Sequence, residues 1–382
     1  MKILFLDQSG KTGGAELCLL DIAQSYKETC LVGLLADGPF RELLEQQQIP
    51  VQVLTKQSIR VRKDSSILQS LNSITSLVPL ITKIARIARH YDLIYTNTQK
   101  ALVVGAMASF LTRRPFVHHL HDILSAEHFS LTNRRLAVTL ANRASLIIAN
   151  SQATRAAFIE AGGRDDLVQV VYNGFDPKRY QSSEQERLRI RQQLGLDQQF
   201  IVGQFSRLSP WKGQHILIEA LAHCPDHVTA LLVGGALFGE QDYVEQLHQQ
   251  IATLGLENRV QFLGFRSDVI SLMSACDLIA HTSTAPEPFG RVIVEGMLCG
   301  RPVIAAAAGG ATELVEPEKT GWLFSPGSSQ QLAQLITACQ EKPQQAAVIA
   351  QNGQAHARQC LDLAAINQQI SQLLYQVLAH KS

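Results

Sequence analysis

The chain has 382 residues, 46% hydrophobic and 18% charged, with a net charge of +1 at pH 7. That is more than one ordinary core needs and suits two globular domains, while the near-neutral balance excludes a nucleic-acid binder held by overall charge and gives no global attraction to anionic lipid. Seven cysteines without a C-x-x-C pair read as reduced, mostly buried thiols of a cytoplasmic protein, not as a disulfide framework.

The opening apolar run is too short for a signal peptide, and no 18-residue apolar stretch is present, so no membrane span is expected. A strand over Ile3–Leu6 is followed by a glycine turn with Lys11 and Thr12, then a helix. The turn is no P-loop, because Phe5 stands five residues before Gly10-Lys11-Thr12, where that loop needs a glycine. Gly10, Gly13 and Gly14 also do not make the dinucleotide fingerprint. Gly13 and Gly14 at a helix N-terminus suit an anion; the residues alone leave that reading and a plain tight turn both open.

Further strands are predicted over Cys30–Leu35, Val51–Leu54, Leu93–Thr96, Phe116–His119, Leu146–Ala149 and Val168–Tyr172. They are rich in Val, Ile and Leu and alternate with helix-length segments, the pattern of a parallel sheet covered on both faces. Within this half, Leu68, Leu71, Ile74, Leu77, Ile81, Ile84 and Ile87 recur at helical spacing, with Lys83, Arg86 and Arg89 near the end and Arg60, Arg62 and Lys63 ahead. This segment is read as a helix over the sheet with cations at its C-terminus. Peripheral contact with the cytoplasmic face of the inner membrane is the alternative. His119 and His121 share a strand face, but no spaced third and fourth ligands accompany them, so no metal site is expected.

The pattern breaks at Asn173–Tyr180, and a polar helical segment, Ser183–Leu194, precedes a second series of strands: Ile201–Phe205, Thr229–Val233, Val260–Phe262, Leu278–His281, Val303–Ala305 and Trp322–Phe324. Two Rossmann-like α/β domains follow, 1–174 and 175–362, with a ligand cleft expected between them. A last helix, 363–382, closes the chain and is expected to pack either on its own domain or back on the first.

Two loops in the second series carry chemistry. After the strand ending at Phe205, Arg207 and Lys212 lead to a helix starting near Gly213, a pairing that suits a diphosphate. In Ala285–Val315, Pro288 holds Glu287 in an extended loop, and a helix starting near Gly290 carries Glu295 on its second turn. Carboxylates there suit sugar hydroxyls, and the free amides beside Phe289 and Gly290 suit phosphate. A solvated Glu295 and a capping Glu287 are the plainer alternative.

Taken in order, GGAE (Gly13–Glu16), HLHD (His119–Asp122), ANSQAT (Ala149–Thr154), YNGFD (Tyr172–Asp176), SRLSPWKG (Ser206–Gly213) and EPFGRVIVE (Glu287–Glu295) resemble the motifs of the retaining family 4 glycosyltransferases, which have the GT-B fold. The resemblance implies transfer of a sugar from a nucleoside diphosphate sugar to an acceptor hydroxyl on a glycan, glycolipid or small molecule; no cofactor is expected, and no metal, since Arg207 and Lys212 supply about two positive charges for the leaving diphosphate. Arg207 and Lys212 would hold the diphosphate. Glu295 would bind the ribose, and Glu287 with the backbone of Phe289 and Gly290 would hold the transferred sugar. Phe265 and Arg266 would lie near the base. Arg291 and Val292 complete the implied donor set, Gly13 and Gly14 would border phosphate and acceptor, and His121 would contact the sugar. Glu287 would orient the sugar or act as a nucleophile. A sugar-nucleotide epimerase or phosphorylase on the same architecture, and a non-catalytic sugar-nucleotide-binding protein, are the alternatives.

Overall fold

The computed structural model describes residues 1–8, 10–55, 67–125, 129–236 and 239–379; the side chains of 67–76 lie outside the description. The chain divides into two compact units, Met1–Gly174 with Leu363–Ser382, and Phe175–Asp362. Both are α/β, and every strand pairing in both sheets is parallel.

The first unit holds strands β1 (Ile3–Asp7), β2 (Cys30–Leu34), β3 (Val51–Val53), β4 (Leu93–Thr96), β5 (Phe116–Leu120), β6 (Leu146–Ala149) and β7 (Val168–Val170). Helices α1 (Gly14–Ala23), α2 (Pro39–Gln46), α3 (Ile67–Ala88), α4 (Gln99–Thr112), α5 (Leu131–Ala141) and α6 (Gln152–Glu160) connect them. The strand order is β3-β2-β1-β4-β5-β6-β7. The chain winds outward from β1 to β3, then returns to lay β4 on the other side of β1. This reversal puts the carboxyl ends of β1 and β4 at a topological switch point, where α/β sheets bind ligands.

The period of two divides this sheet cleanly. Leu4, Leu6, Ile94, Phe116, Leu120 and Ile147 enter a core with Ile84 of α3 and Leu102 of α4. Ile3, Phe5, Tyr95, Val117 and Ile148 enter the opposite core with Cys18 and Leu19 of α1. In the described part of α3, Leu80, Ile84 and Ala88 are buried, whereas Val78 and Arg86, and Arg89 just past its end, face outward. The expected Arg60, Arg62 and Lys63 lie outside the described residues, as do the side chains of Leu68, Leu71 and Ile74. No described helix is long and apolar enough to cross a membrane.

The second unit repeats the plan with strands β8 (Phe200–Phe205), β9 (Val228–Val233), β10 (Val260–Gly264), β11 (Leu278–His281), β12 (Val303–Ala306) and β13 (Trp322–Phe324). Its helices are α7 (Glu184–Leu194), α8 (Gln214–Leu221), α9 (Gln241–Leu254), α10 (Val269–Ala275), α11 (Arg291–Leu298), α12 (Ala311–Leu314), α13 (Ser329–Glu341) and α14 (Pro343–Cys360). The order β10-β9-β8-β11-β12-β13 puts the switch between β8 and β11, whose registers align Leu278 with Val202 and Ile279 with Gly203.

Helix α15 (Leu363–Ala379) follows the second unit in sequence yet belongs to the first. Ile366, Ile370 and Leu374, one helical face at four-residue spacing, sit in the same core as Ile3 and Phe5. The Asn367 side-chain amide donates to the Asp21 carbonyl at 3.0 Å.

Candidate active site

The loops that leave β8 and β11 at the switch of the second unit carry the charged residues of the two motifs. The β8 loop runs through Arg207 into a short turn, Pro210–Lys212. Gly213 then starts α8 at φ +70°, with the Thr282 carbonyl 2.0 Å from where a Cβ would stand. Only glycine accepts that combination. The fit locks the β8 loop onto the β11 loop: Thr282 Oγ1 donates to the carbonyls of Lys212 at 3.0 Å and Gly213 at 2.9 Å, and the Thr284 amide donates to the Trp211 carbonyl at 2.8 Å.

Glu287 is fixed from the other side. Its carbonyl accepts from the Gly310 amide at 2.7 Å. Gly309, at φ +63°, approaches so closely that a Cβ would stand 2.3 Å from that oxygen. With its backbone held, Glu287 turns one oxygen, Oε2, into a nest of donors. Lys212 Nζ donates to it at 2.6 Å and Ser283 Oγ at 3.1 Å. His281 Nε2 also lies 3.1 Å away. Burial alone would raise this carboxyl, but the Lys212 charge and the His281 hydrogen bond overcome it and hold Glu287 well below the usual carboxylate range. Glu287 is therefore an anion in a nearly dry setting, matched by an equally shielded ammonium.

Arg207 and Lys212 flank one indole. Lys212 Nζ is 3.9 Å and Arg207 Cζ 6.0 Å from the Trp211 ring centroid, a cation–π arrangement. Arg207 Nε also lies 3.5 Å from Glu240 Oε2. The helix expected near Gly290 begins with Gly290 as N-cap at φ +100°, followed by α11. Glu295 sits one turn along from Arg291, whose Nε is 3.4 Å from Glu295 Oε1. Arg291 also rests over Phe175, 4.6 Å from the ring centroid. Phe289 is buried and stacked on Phe175 at 6.2 Å, so its side chain is core and only its backbone remains for a ligand. Val292 is half-buried on the first turn of α11. Phe265 and Arg266 follow edge strand β10, two strands out from the switch. Phe265 is 83% exposed, and Arg266 forks onto Asp268 at 2.8 and 2.6 Å.

In the first unit the switch gathers a polar group. Asn97, just past β4, donates to Asp7 Oδ2 at 2.8 Å and to the Ala15 carbonyl at 3.0 Å. His121 follows β5, and its Nε2 lies 2.8 Å from Asn97 Oδ1. Gly13 caps α1 in an extended conformation, and Gly13 and Gly14 are exposed at its start. Glu16, two residues further, is buried; desolvation first, and then the Asp7 charge, push its carboxyl up to about 7. Burial drives His119 well below the ordinary histidine range, assisted by the neighbouring His121 and His118.

Sequence reasoning passed over His281, Ser283, Trp211 and Glu240. His281 and Ser283 sit two apart at the end of β11, and both reach the Glu287 carboxylate. The signal for them was the strand's carboxyl end beside a switch, not a motif.

Comparison with known proteins places these motifs. The glycosyl transferases group 1 model matches residues 186–356 and the glycosyltransferase family 4 model residues 12–179. The crystal structure of Anabaena HepE in complex with UDP-glucose is 63% identical to this chain, with a TM-score of 0.92, covering 98% of this chain and 100% of that one. Sucrose-phosphate synthase from Thermosynechococcus elongatus, at 21% identity and a TM-score of 0.83 over 99% of both chains, shares the fold. The D-inositol 3-phosphate glycosyltransferase of Salinispora tropica is 28% identical over 298 residues, which is 71% of this chain and 61% of that relative. The match thus spans less than two thirds of that curated relative's own length.

Proposed function

The chain belongs to the group 1, family 4 glycosyltransferases and has their two-domain GT-B fold, and on that premise we propose that it transfers a glucosyl group from UDP-glucose to an acceptor hydroxyl, with retention at the anomeric carbon and without a metal ion. The observation that carries the reading is the Lys212–Glu287 pair, a buried cation and a buried carboxylate held at 2.6 Å on the two loops of the sheet switch. The choice of UDP-glucose rests on the likeness to HepE.

Breaking the glycosidic bond puts negative charge on the departing diphosphate and positive character on the sugar. Lys212 and Arg207, already positioned around Trp211, stabilise the leaving group without reorganising, and fixed charge of this kind lowers such a barrier more than any other device on these loops. Two cations supply the role a divalent ion fills elsewhere. Glu287, kept ionised by Lys212 and His281, accepts hydrogen bonds from sugar hydroxyls; Glu295 takes the ribose. Gly13, Gly14 and His121 take the acceptor-side and sugar-contact roles that the resemblance implies. The acceptor's proton goes to the leaving phosphate, so no general base is assigned. The acceptor is a hydroxyl of a glycan, a glycolipid or a small molecule.

The test is UDP release from a panel of nucleoside diphosphate sugars, with the product's anomeric configuration read by NMR. UDP-glucose is expected to turn over fastest, to give a retained product, and to do so in excess chelator. Inverted product, strict dependence on divalent ion, or another preferred donor would each overturn the corresponding part.

A further inference from the structure

Strand β5 and helix α1 bring together three side chains that neither element explains alone. His119 lies on β5 and His121 just past the strand's end, and Cys18 on α1 reaches the same place. We propose that Cys18, His119 and His121 form a binding site for a borderline-soft divalent metal ion such as Zn²⁺.

The geometry supplies the third ligand that sequence spacing lacked. One ligand atom from each residue lies within 4.8 Å of the other two, and the two imidazole rings overlap with centroids 4.0 Å apart. Bonds of about 2.0–2.1 Å to nitrogen and about 2.3 Å to sulfur need ligand atoms roughly 3.5 Å apart, so side-chain movements of about an ångström close the gap. Each histidine is already oriented by a neighbour, as metal-ligating histidines are. His119 Nδ1 meets the Tyr95 hydroxyl at 2.7 Å, His121 Nε2 meets Asn97, and the Cys18 thiol donates to Asn173 Oδ1 at 3.2 Å.

An independent observation points to a ligand. His119 is 1% exposed, and its Nε2, turned away from Tyr95, has no hydrogen-bond partner among the described residues. Leaving a buried polar atom unsatisfied is costly, and a metal ion would satisfy it. One sulfur and two nitrogens select Zn²⁺ or Co²⁺ over Mg²⁺. Three protein ligands leave a fourth position for water; His121 serves either this ion or the sugar, so the transfer proposed above runs on the metal-free form. On binding, the thiol proton leaves to solvent and the thiolate takes its place on the metal.

Co²⁺ titration of the full-length, reduced protein without nucleotide tests this. One equivalent is expected to bind, with a thiolate-to-cobalt absorption band that Zn²⁺ displaces. Cys18→Ser, which keeps the polar contact to Asn173, is expected to abolish the band and weaken Zn²⁺ binding at least ten-fold. Tyr95→Phe should keep the band and weaken binding by about 10–100-fold. Cys360→Ser, which removes an exposed thiol 3.8 Å from His356 Nδ1, should change nothing. Should Cys18→Ser not fold by circular dichroism, His121→Ala, at a half-buried position, carries the same expectation for affinity. Wild-type protein that binds no stoichiometric Co²⁺, or a band that survives Cys18→Ser or is lost in Cys360→Ser, overturns the proposal.

Discussion

Lys212 Nζ and Glu287 Oε2 lie 2.6 Å apart although 75 residues separate them, and both side chains are more than four-fifths shielded from solvent. The parallel neighbours β8 and β11 make the contact, since each residue leaves the carboxyl end of one of them. A pair this dry is strongly coupled, because removing one partner strands the other's charge. Glu287→Ala and Lys212→Ala are each expected to destabilise the second unit by about 3–5 kcal/mol. The double substitution Lys212→Ala/Glu287→Ala should cost less than the sum of its singles by about 0.5–3 kcal/mol. Denaturant melts of the four proteins measure this; strict additivity would mean the contact carries no energy.

Acid should find the same pair. The folded carboxyl of Glu287 titrates below its unfolded value, so its contribution to stability is complete above the unfolded pKa of about 4.3 and is lost as pH falls toward the folded pKa. As pH falls from about 5 to about 2, through the unfolded value and toward the folded one, the native protein should lose stability, and Glu287→Gln should lose less over the same interval. Urea midpoints across that range decide it, and parallel slopes for the two proteins would refute the assignment.

Charge placement also sets the kinetic expectation. If Lys212 and Arg207 stabilise the departing diphosphate, Lys212→Met should lower kcat for UDP release by about 10²–10³. Arg207→Lys should recover only part of what Arg207→Ala loses, because an ammonium cannot reproduce the guanidinium fork. Unchanged kcat with a raised KM in all three variants would reassign both cations to simple donor binding.

The residues that made this much legible were local. Each of the thirteen strands among the described residues is an apolar run bounded by turns, and the structure places every one within a residue or two of its sequence position. Gly213, Gly290 and Gly309 marked the turns that carry Lys212 and Glu287. What stayed hidden is what strand order creates. His281 and Ser283 join Glu287 only because the β11 loop folds back over its own strand, and Cys18 meets His119 only because α1 lies across β5's face. Neither juxtaposition leaves a trace in spacing along the chain.

Helix α15 is the clearest case of such non-local dependence. It follows the second unit, yet it buries Ile366, Ile370 and Leu374 in the core that holds Ile3 and Phe5 of β1. Each fully buried aliphatic of that kind contributes about 1.5–3 kcal/mol, and large-to-small change at Ile370 should cost about 2–5 kcal/mol. Truncation after Asp362 should therefore weaken the first unit, not the unit it immediately follows. Hydrogen exchange resolves the two. Amides of β1 and α1 are expected to lose protection in the truncated protein and, to a lesser degree, in Ile370→Ala, while those of β8 and β9 keep theirs. Loss confined to the second unit would contradict this packing.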